Sequence, residues 1–400
     1  MDAGAFAELP PLGHALDLTP DQRALLDNAD AVLRPFDDAY WASCDTSGTF
    51  PDGFFGAAAQ AGWFGIAMPE AYGGSALGIC EAALLMERVA KAGGMTAASA
   101  IHINIFGAHP IVVHGSADQK QRWLPPLIQG DLRMCFGITE PDAGLDTTHI
   151  STRAERVDGG WRISGQKIWT STAQHADRIL LLARTTPAAA CKRRSDRLTL
   201  FFAEIDPDRV EIREIAKMGR KAVDSNQVFI DALTVPDRDR VGPVDAGLPI
   251  LFDGLNPERI LIAMEAIGIG LDAVRRASLY ARDRAVFGRP IGANQSVQHP
   301  LAESWMALQS ARLMTLQAAR LYDAGQSCGA EANAAKYLGS EAALTACERA
   351  VRTHGGMGYA AEFHVERLLR EVMIPVLAPV SNQMILNYIS ERVLDLPRSY

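Results

Sequence analysis

The chain has 400 residues, 48% of them hydrophobic, and a net charge of −8 with acids and bases interspersed. That length exceeds what one hydrophobic core usually serves, so two or three domains are expected. The charge pattern excludes a basic face for nucleic acid and a polybasic membrane anchor. The six cysteines, Cys44, Cys80, Cys135, Cys191, Cys328 and Cys347, have no metal-ligand spacing and read as small buried hydrophobes in a reducing compartment. No basic segment leads into an apolar core at the start, and no uninterrupted apolar run reaches spanning length. A cytoplasmic protein without a membrane span is the expectation.

In chain order, Thr19 and Pro20 open a capped helix with apolar positions at Ala24, Leu25, Ala29, Val32 and Leu33. A second helix starts near Pro51, and WFGIAMPEAYGG (63–74) is an ordered loop ending in a Gly-Gly turn. Helical patterns at 79–91, 96–114 and 117–128 complete an all-α first third. The texture changes near Met134. WRISGQKIW, ADRILLLART and RLTLFFAEID run at strand length, and Asp158-Gly159-Gly160 supplies hairpin-turn chemistry before the first. NQVFIDALTVP reads as an edge or linking strand closed by Pro236. Lys192, Arg193 and Arg194 cluster between strands as a solvated loop. After Gly254 the helical period returns at 257–286, 296–325, 329–354 and 362–394, four amphipathic segments that suggest a bundle. The expected domains are 1–132, 133–247 and 248–400.

The stretch GLNPER (254–259) is a helix-start pattern, with Asn256 as N-cap, Pro257 at the first helical position and Glu258 in the first turn. An acid there is favoured by the backbone dipole without any catalytic role. Gly268-Ile269-Gly270 follows no strand and lacks a third glycine, so close helix packing explains it better than a dinucleotide site. The pattern CFGITEPDAGLD (135–146) places two glycines and a proline after a short strand.

That last segment resembles the flavin-binding signature of the acyl-CoA dehydrogenases, whose usual form has TEP and then A-G-S-D. YARDRAVFGRPIGANQSVQHPLAE (280–303) resembles the second signature of that family and HGGMGY (354–359) the third. The resemblance covers nearly the whole chain in the same order. It implies an α+β fold with an N-terminal α domain, a central β-barrel-like domain and a C-terminal four-helix bundle. It also implies FAD bound between the β domain and the bundle, with a neighbouring subunit completing the pocket of a homotetramer or at least a dimer. The implied substrate is an acyl-CoA thioester, and the implied acceptor an electron-transferring flavoprotein.

Carried over residue by residue, Phe136, Ile138 and Thr139 fall where the isoalloxazine ring is held, with Gly144 in the same signature. Trp169 and Ser171 fall where an aromatic and a hydroxyl shield the ring and bond its polar edge. Read from the strand alone, Trp169 is a core aromatic. Arg284, Phe287 and Gln295 fall on positions that contact the ADP half across a subunit boundary, where a guanidinium fork suits a pyrophosphate. Arg352, Gly355, Gly356 and Ser381 fall on further cofactor positions, the glycines where a backbone approaches the cofactor closely.

The chemistry of the family needs one carboxylate to take a proton from Cα while hydride leaves Cβ. Most members carry it in a Y-E-G-T motif after the third signature, where this chain has Ala378-Pro379-Val380-Ser381. A minority, including enzymes for isovaleryl and long-chain substrates, carry it in an E-R pair on the first helix of the C-terminal domain. Glu258-Arg259 falls there, which makes Glu258 the expected base and Asn256, Arg259, Ala378 and Pro379 the expected substrate contacts. Pro379 removes the backbone N–H that would bind the thioester oxygen. A neighbouring donor, a one-residue offset in the motif, or a different substrate and reaction would each account for it. Ala378 in place of tyrosine predicts room for a branched or wide acyl group. Leu145 replaces the serine of A-G-S-D, and His102 and His109, near the expected chain-length pocket, read as satisfied histidines rather than ligands. Two rivals remain: a same-fold oxidase, nitroalkane oxidase or flavin monooxygenase, and a non-catalytic acyl-CoA or carrier-binding protein.

Overall fold

The computed structural model describes residues 18–187 and 197–399. The expectations for Cys191 and for the Lys192, Arg193 and Arg194 cluster lie outside the described residues. Helices come first: α1 (Pro20–Leu33), α2 (Asp38–Ser47), α3 (Asp52–Gln60), α4 (Ile79–Phe106), α5 (His109–His114) and α6 (Ala117–Gln129). Strands follow: β1 (Met134–Gly137), β2 (Arg153–Val157), β3 (Gly160–Ser171), β4 (Arg178–Arg184), β5 (Leu198–Glu204), β6 (Val210–Glu214), β7 (Ser225–Pro236) and β8 (Arg240–Val241). The last part holds α7 (Gly247–Asp253), α8 (Leu255–Asp283), the short strands β9 (Ala285–Val286) and β10 (Arg289–Pro290), then α9 (Gln295–Asp323), α10 (Gly329–His354), α11 (Val365–Glu371), α12 (Met373–Leu377) and α13 (Asn382–Arg392). This is the α, β, α succession read from the sequence. The described residues divide into two compact units: one combines those up to Ser43, Ile79–Ala98 and those from Arg259 on, and the other combines Cys44–Gly78 and those within Ser99–Glu258.

In the sheet-bearing unit the strands run in the order β6-β7-β3-β2-β4-β5-β8, with β1 parallel to β4. Period-two alternation divides the apolar residues between two faces. Leu180, Leu182, Leu200 and Phe202 pack with Trp123, Leu124 and Leu127 of α6, while Ile179, Leu181 and Phe201 pack with Trp161, Ile163 and Ile230. β4 is covered on both sides, which is why it reads as an unbroken apolar run. The Asp158-Gly159 turn joins β2 to β3, with Gly159 at φ +74°. β7 corrects an expectation: it lies between β6 and β3 rather than at an edge. Pro236 is tolerated because it ends the strand, paired with Gly160 at the sheet margin, where its missing N–H interrupts no ladder.

In the helical unit, α1 begins as the sequence predicts, with a capping box between Thr19 and Gln22. The two glycines of α8 pack closely, as expected: a Cβ at Gly268 would lie 2.5 Å from the Glu87 carbonyl of α4, and one at Gly270 would lie 2.6 Å from Leu308 of α9. The fourth expected helix is broken into α11, α12 and α13. The longer of the two breaks follows α12, where Ala378 takes an extended conformation and Pro379 disfavours helix in the residue before it. Another correction concerns α8, which starts at Leu255, so Asn256 is inside its first turn and does not cap it. The Glu258 N–H donates to the Gly254 carbonyl at 3.2 Å, and Glu258 remains the first-turn acid. Helical stretches Ile79–His114 and Val365–Arg392 are long and apolar enough by composition to cross a membrane, and the apolar 18-residue window of the first is 78% buried.

Candidate functional site

The expected site residues are divided between the two units. In the sheet-bearing unit, β1 carries Phe136 to the start of the loop containing Ile138 and Thr139. That loop is anchored from β3: the Ile168 N–H donates to the Thr139 carbonyl at 2.9 Å, and the Lys167 ammonium donates to the Ile138 carbonyl at 3.0 Å. Lys167 also reaches Glu140 at 2.8 Å, and both side chains are buried. Glu140 accepts further bonds from the Ser151 and Thr152 N–H groups and the Ser151 hydroxyl. Burial works against its charge, but Lys167 and these donors outweigh burial and hold the carboxyl well below the usual carboxylate range.

Because Ile168 turns to the β1 loop, β3 loses register with β7 between Lys167 and Thr170. Trp169 sits on that bulge at φ +60° and is 56% exposed. It is therefore not the core aromatic that a strand reading predicts; the bulge aims it outward. Two residues on, the Ser171 hydroxyl accepts from the Arg220 guanidinium at 3.1 Å. The same buried guanidinium donates to Ser99 and Ser225, which ties α4 to the end of β3. Gly144 and Leu145 are exposed in the loop after Glu140.

His102 packs against Phe106, and Phe106 against Phe136, with centroids 4.6 and 5.4 Å apart. Burial pushes the His109 pKa down. Among the described residues no group of His, Cys, Asp and Glu is placed to hold a metal. Asn256 and Glu258 are half-buried at the start of α8.

In the helical unit a ring stack joins the ends of two helices. Tyr280 of α8 lies on His354 at the end of α10, with centroids 4.3 Å apart. One turn beyond Tyr280, Arg284 enters the β9–β10 hairpin, where the Ile291 N–H donates to its carbonyl at 2.8 Å. The hairpin turn is Phe287-Gly288, with φ +52° and +79°. Such a two-residue turn matches the strand twist but is costly at phenylalanine, and the Phe287 side chain is fully exposed at its tip. Gln295 opens α9 beside Asn294, which accepts from Arg289 at 2.7 Å. Directly after His354 come Gly355, at φ +60°, and Gly356; a Cβ at either would meet nothing within 4 Å. Arg352 is exposed and paired with Glu348.

Ala378, Pro379 and Ser381 lie on the link between α12 and α13. Ser381 caps α13, accepting from the Met384 N–H at 3.4 Å. Lys336 of α10, buried, donates to the Val380 carbonyl at 2.7 Å and to Asn382 Oδ1 at 2.8 Å. Arg259, at the start of α8, carries a positive charge that acts on Lys336.

Sequence reading missed Glu140, Lys167, Arg220 and Lys336. A signal existed for Lys336, which falls four residues after Ala332 and seven before Ala343 on the buried stripe of α10. The partners of Glu140 and Arg220 are set by strand register and carry no local signal.

The chain matches family models for the acyl-CoA dehydrogenase N-terminal domain over residues 19–131, the middle domain over 135–233 and the C-terminal domain over 245–394. It is 39% identical to an acyl-CoA dehydrogenase of Mycobacterium tuberculosis, across 86% of this chain and 88% of that one. Benzylmalonyl-CoA dehydrogenase of Aromatoleum aromaticum is 33% identical, across 94% and 99%. Among solved structures, butyryl-CoA dehydrogenase from Megasphaera elsdenii matches with a TM-score of 0.90 and 26% identity, across 95% and 99%.

Proposed function

The chain belongs to the acyl-CoA dehydrogenase family, and from that premise we propose that Glu258 is the base of an FAD-dependent α,β-dehydrogenation giving a trans-2-enoyl-CoA. The observation that carries this reading is the pairing of a carboxylate in the first turn of α8 with the lack of one at Ala378-Pro379-Val380-Ser381. Glu258 takes the proton from Cα, the Cβ hydrogen leaves with its electron pair, and the carbon–carbon double bond forms between them. FAD, when bound, supplies the two-electron acceptor for that hydride.

The residues present fit such a cofactor. An outward-facing Trp169 beside the Arg220-held Ser171 offers a flat apolar face and a polar edge for the ring, with Phe136, Ile138, Thr139 and Gly144 around the anchored loop. Arg284, Phe287, Gln295 and Arg352 are exposed, and the backbone at Gly355 and Gly356 is open; these groups suit a pyrophosphate and its nucleoside, with Ser381 as a further contact. Asn256 and Arg259, neighbours of Glu258 in the sequence, and Ala378 and Pro379 are the residues assigned to the substrate in this reading.

Ala378 leaves room for a branched or wide acyl group, in keeping with a relative named for benzylmalonyl-CoA. Pro379 offers no N–H to the thioester oxygen, so that role passes to another donor. An electron-transferring flavoprotein as acceptor, a homotetrameric assembly, a cytoplasmic location and domain divisions near residues 132 and 247 belong to the same reading. Anaerobic titration with straight, branched and aromatic acyl-CoAs tests it. Bleaching of the visible flavin band by at least one of them is the expected result. A yellow protein that none of them bleaches, or reduced enzyme that consumes oxygen rapidly, contradicts it.

A further inference from the structure

We propose that Lys336 is a positioning residue, whose ammonium holds the link 378–381 against α10 so that the Pro379 and Ser381 positions meet substrate and cofactor in one fixed geometry. The inference rests on the proposed function for what that link does, but not for how the link is held.

The link has little regular structure of its own. Ala378 is extended, at φ −151° and ψ 165°, as is Ser381, at φ −62° and ψ 150°. Pro379 contributes no N–H. From the bundle, the Lys336 ammonium donates to the Val380 carbonyl in the middle of the link and to Asn382 just after it. Asn382 is in turn buried and oriented, its amide donating to Ser340 at 3.0 Å and to Glu341 at 2.7 Å. One cation thus fixes two points on either side of Ser381.

A buried lysine is costly unless its donors are used. Burial and the neighbouring Arg259 charge pull its pKa down to about 7, against the opposing effect of Glu341. A methionine would fill the same space on the apolar stripe of α10 without that cost. Lysine suits this position because an apolar side chain cannot grip a carbonyl.

The test uses FAD-loaded protein carrying Lys336→Met, with Asn382→Ala as the second variant. Backbone hydrogen exchange across residues 378–386 needs neither substrate nor turnover. It should rise about 10-fold or more in Lys336→Met, while the C-terminal half of α10 stays protected. Anaerobic flavin reduction at saturating acyl-CoA should slow by about 10-fold to 100-fold, with the half-saturating concentration changed by less than about 2-fold. Asn382→Ala should move both readouts in the same direction by less, and it decides the matter alone if Lys336→Met does not fold. Wild-type exchange in the link, or a lowered melting temperature with an unchanged reduction rate per flavin, overturns the proposal. If no acyl-CoA reduces the wild-type enzyme, the functional reading fails, and exchange still decides whether Lys336 holds the link.

Discussion

Glu140 and Lys167 form a buried ion pair, 2.8 Å apart, that clamps the loop after β1 to the bulged strand β3. Removing one partner of such a pair costs more than the pair itself contributes, because the other charge stays buried. Glu140→Gln should therefore destabilise the protein by about 3–5 kcal/mol. The pH dependence has a definite sign. The folded-state pKa of Glu140 is lowered from 4.5 to about 2, so its stabilisation is present above pH 4.5 and is lost as pH falls towards 2. Denaturant titrations between these limits should fall less steeply with acid for Glu140→Gln than for wild type.

Trp169 separates a structural role from a cofactor role. It is 56% exposed and sits at φ +60°, so Trp169→Ala should change the unfolding free energy by no more than about 0.5 kcal/mol. If the ring stacks on flavin, the same variant should lose FAD on dilution about 10-fold more readily, as stacking contributions of that size imply. Unchanged FAD retention would remove Trp169 from the cofactor site.

Much of this arrangement was readable from sequence, and the exceptions have physical causes. The α, β, α succession, the α1 capping box, the Asp158-Gly159 turn and the packing role of Gly268 and Gly270 all follow from local residue chemistry. The interior place of β7 could not be read, because a terminal proline looks the same on an edge strand and a central one. The first turn of α8 begins at Leu255 rather than after Asn256, since the chain comes straight from α7 and Gly254 supplies the first acceptor. Trp169 looked like a core aromatic because strand alternation says nothing about a bulge created by a partner loop. The buried charges Lys167, Arg220 and Lys336 resemble solvated ones until their partners are known.

Gly94 interrupts α4 at φ +69°, where the chain bends around the buried Glu371. The Glu371 carboxylate accepts from the Thr96 N–H at 3.1 Å and its hydroxyl at 2.6 Å, and a Cβ at Gly94 would lie 2.5 Å from Glu371 Oε2. Gly94→Ala combines that overlap with an unfavourable backbone conformation. It should cost about 1–3 kcal/mol, read as a lower midpoint in urea.

Ala378 is the residue that the resemblance sets where the family commonly has tyrosine, and it is exposed on the link. Restoring the bulk with Ala378→Tyr should lower kcat/KM for branched or aromatic acyl-CoAs by about 10-fold to 100-fold while sparing straight chains. Equal losses for every substrate would show that the position does not set acyl width.

The central claim is that Glu258 takes the Cα proton, and Glu258→Gln tests it most directly in an anaerobic titration followed by flavin absorbance. The variant keeps the side-chain shape and should purify with FAD bound, yet the substrate that bleaches wild type should leave its visible band in place. Bleaching and turnover at the wild-type rate in Glu258→Gln would contradict the assignment and require another base.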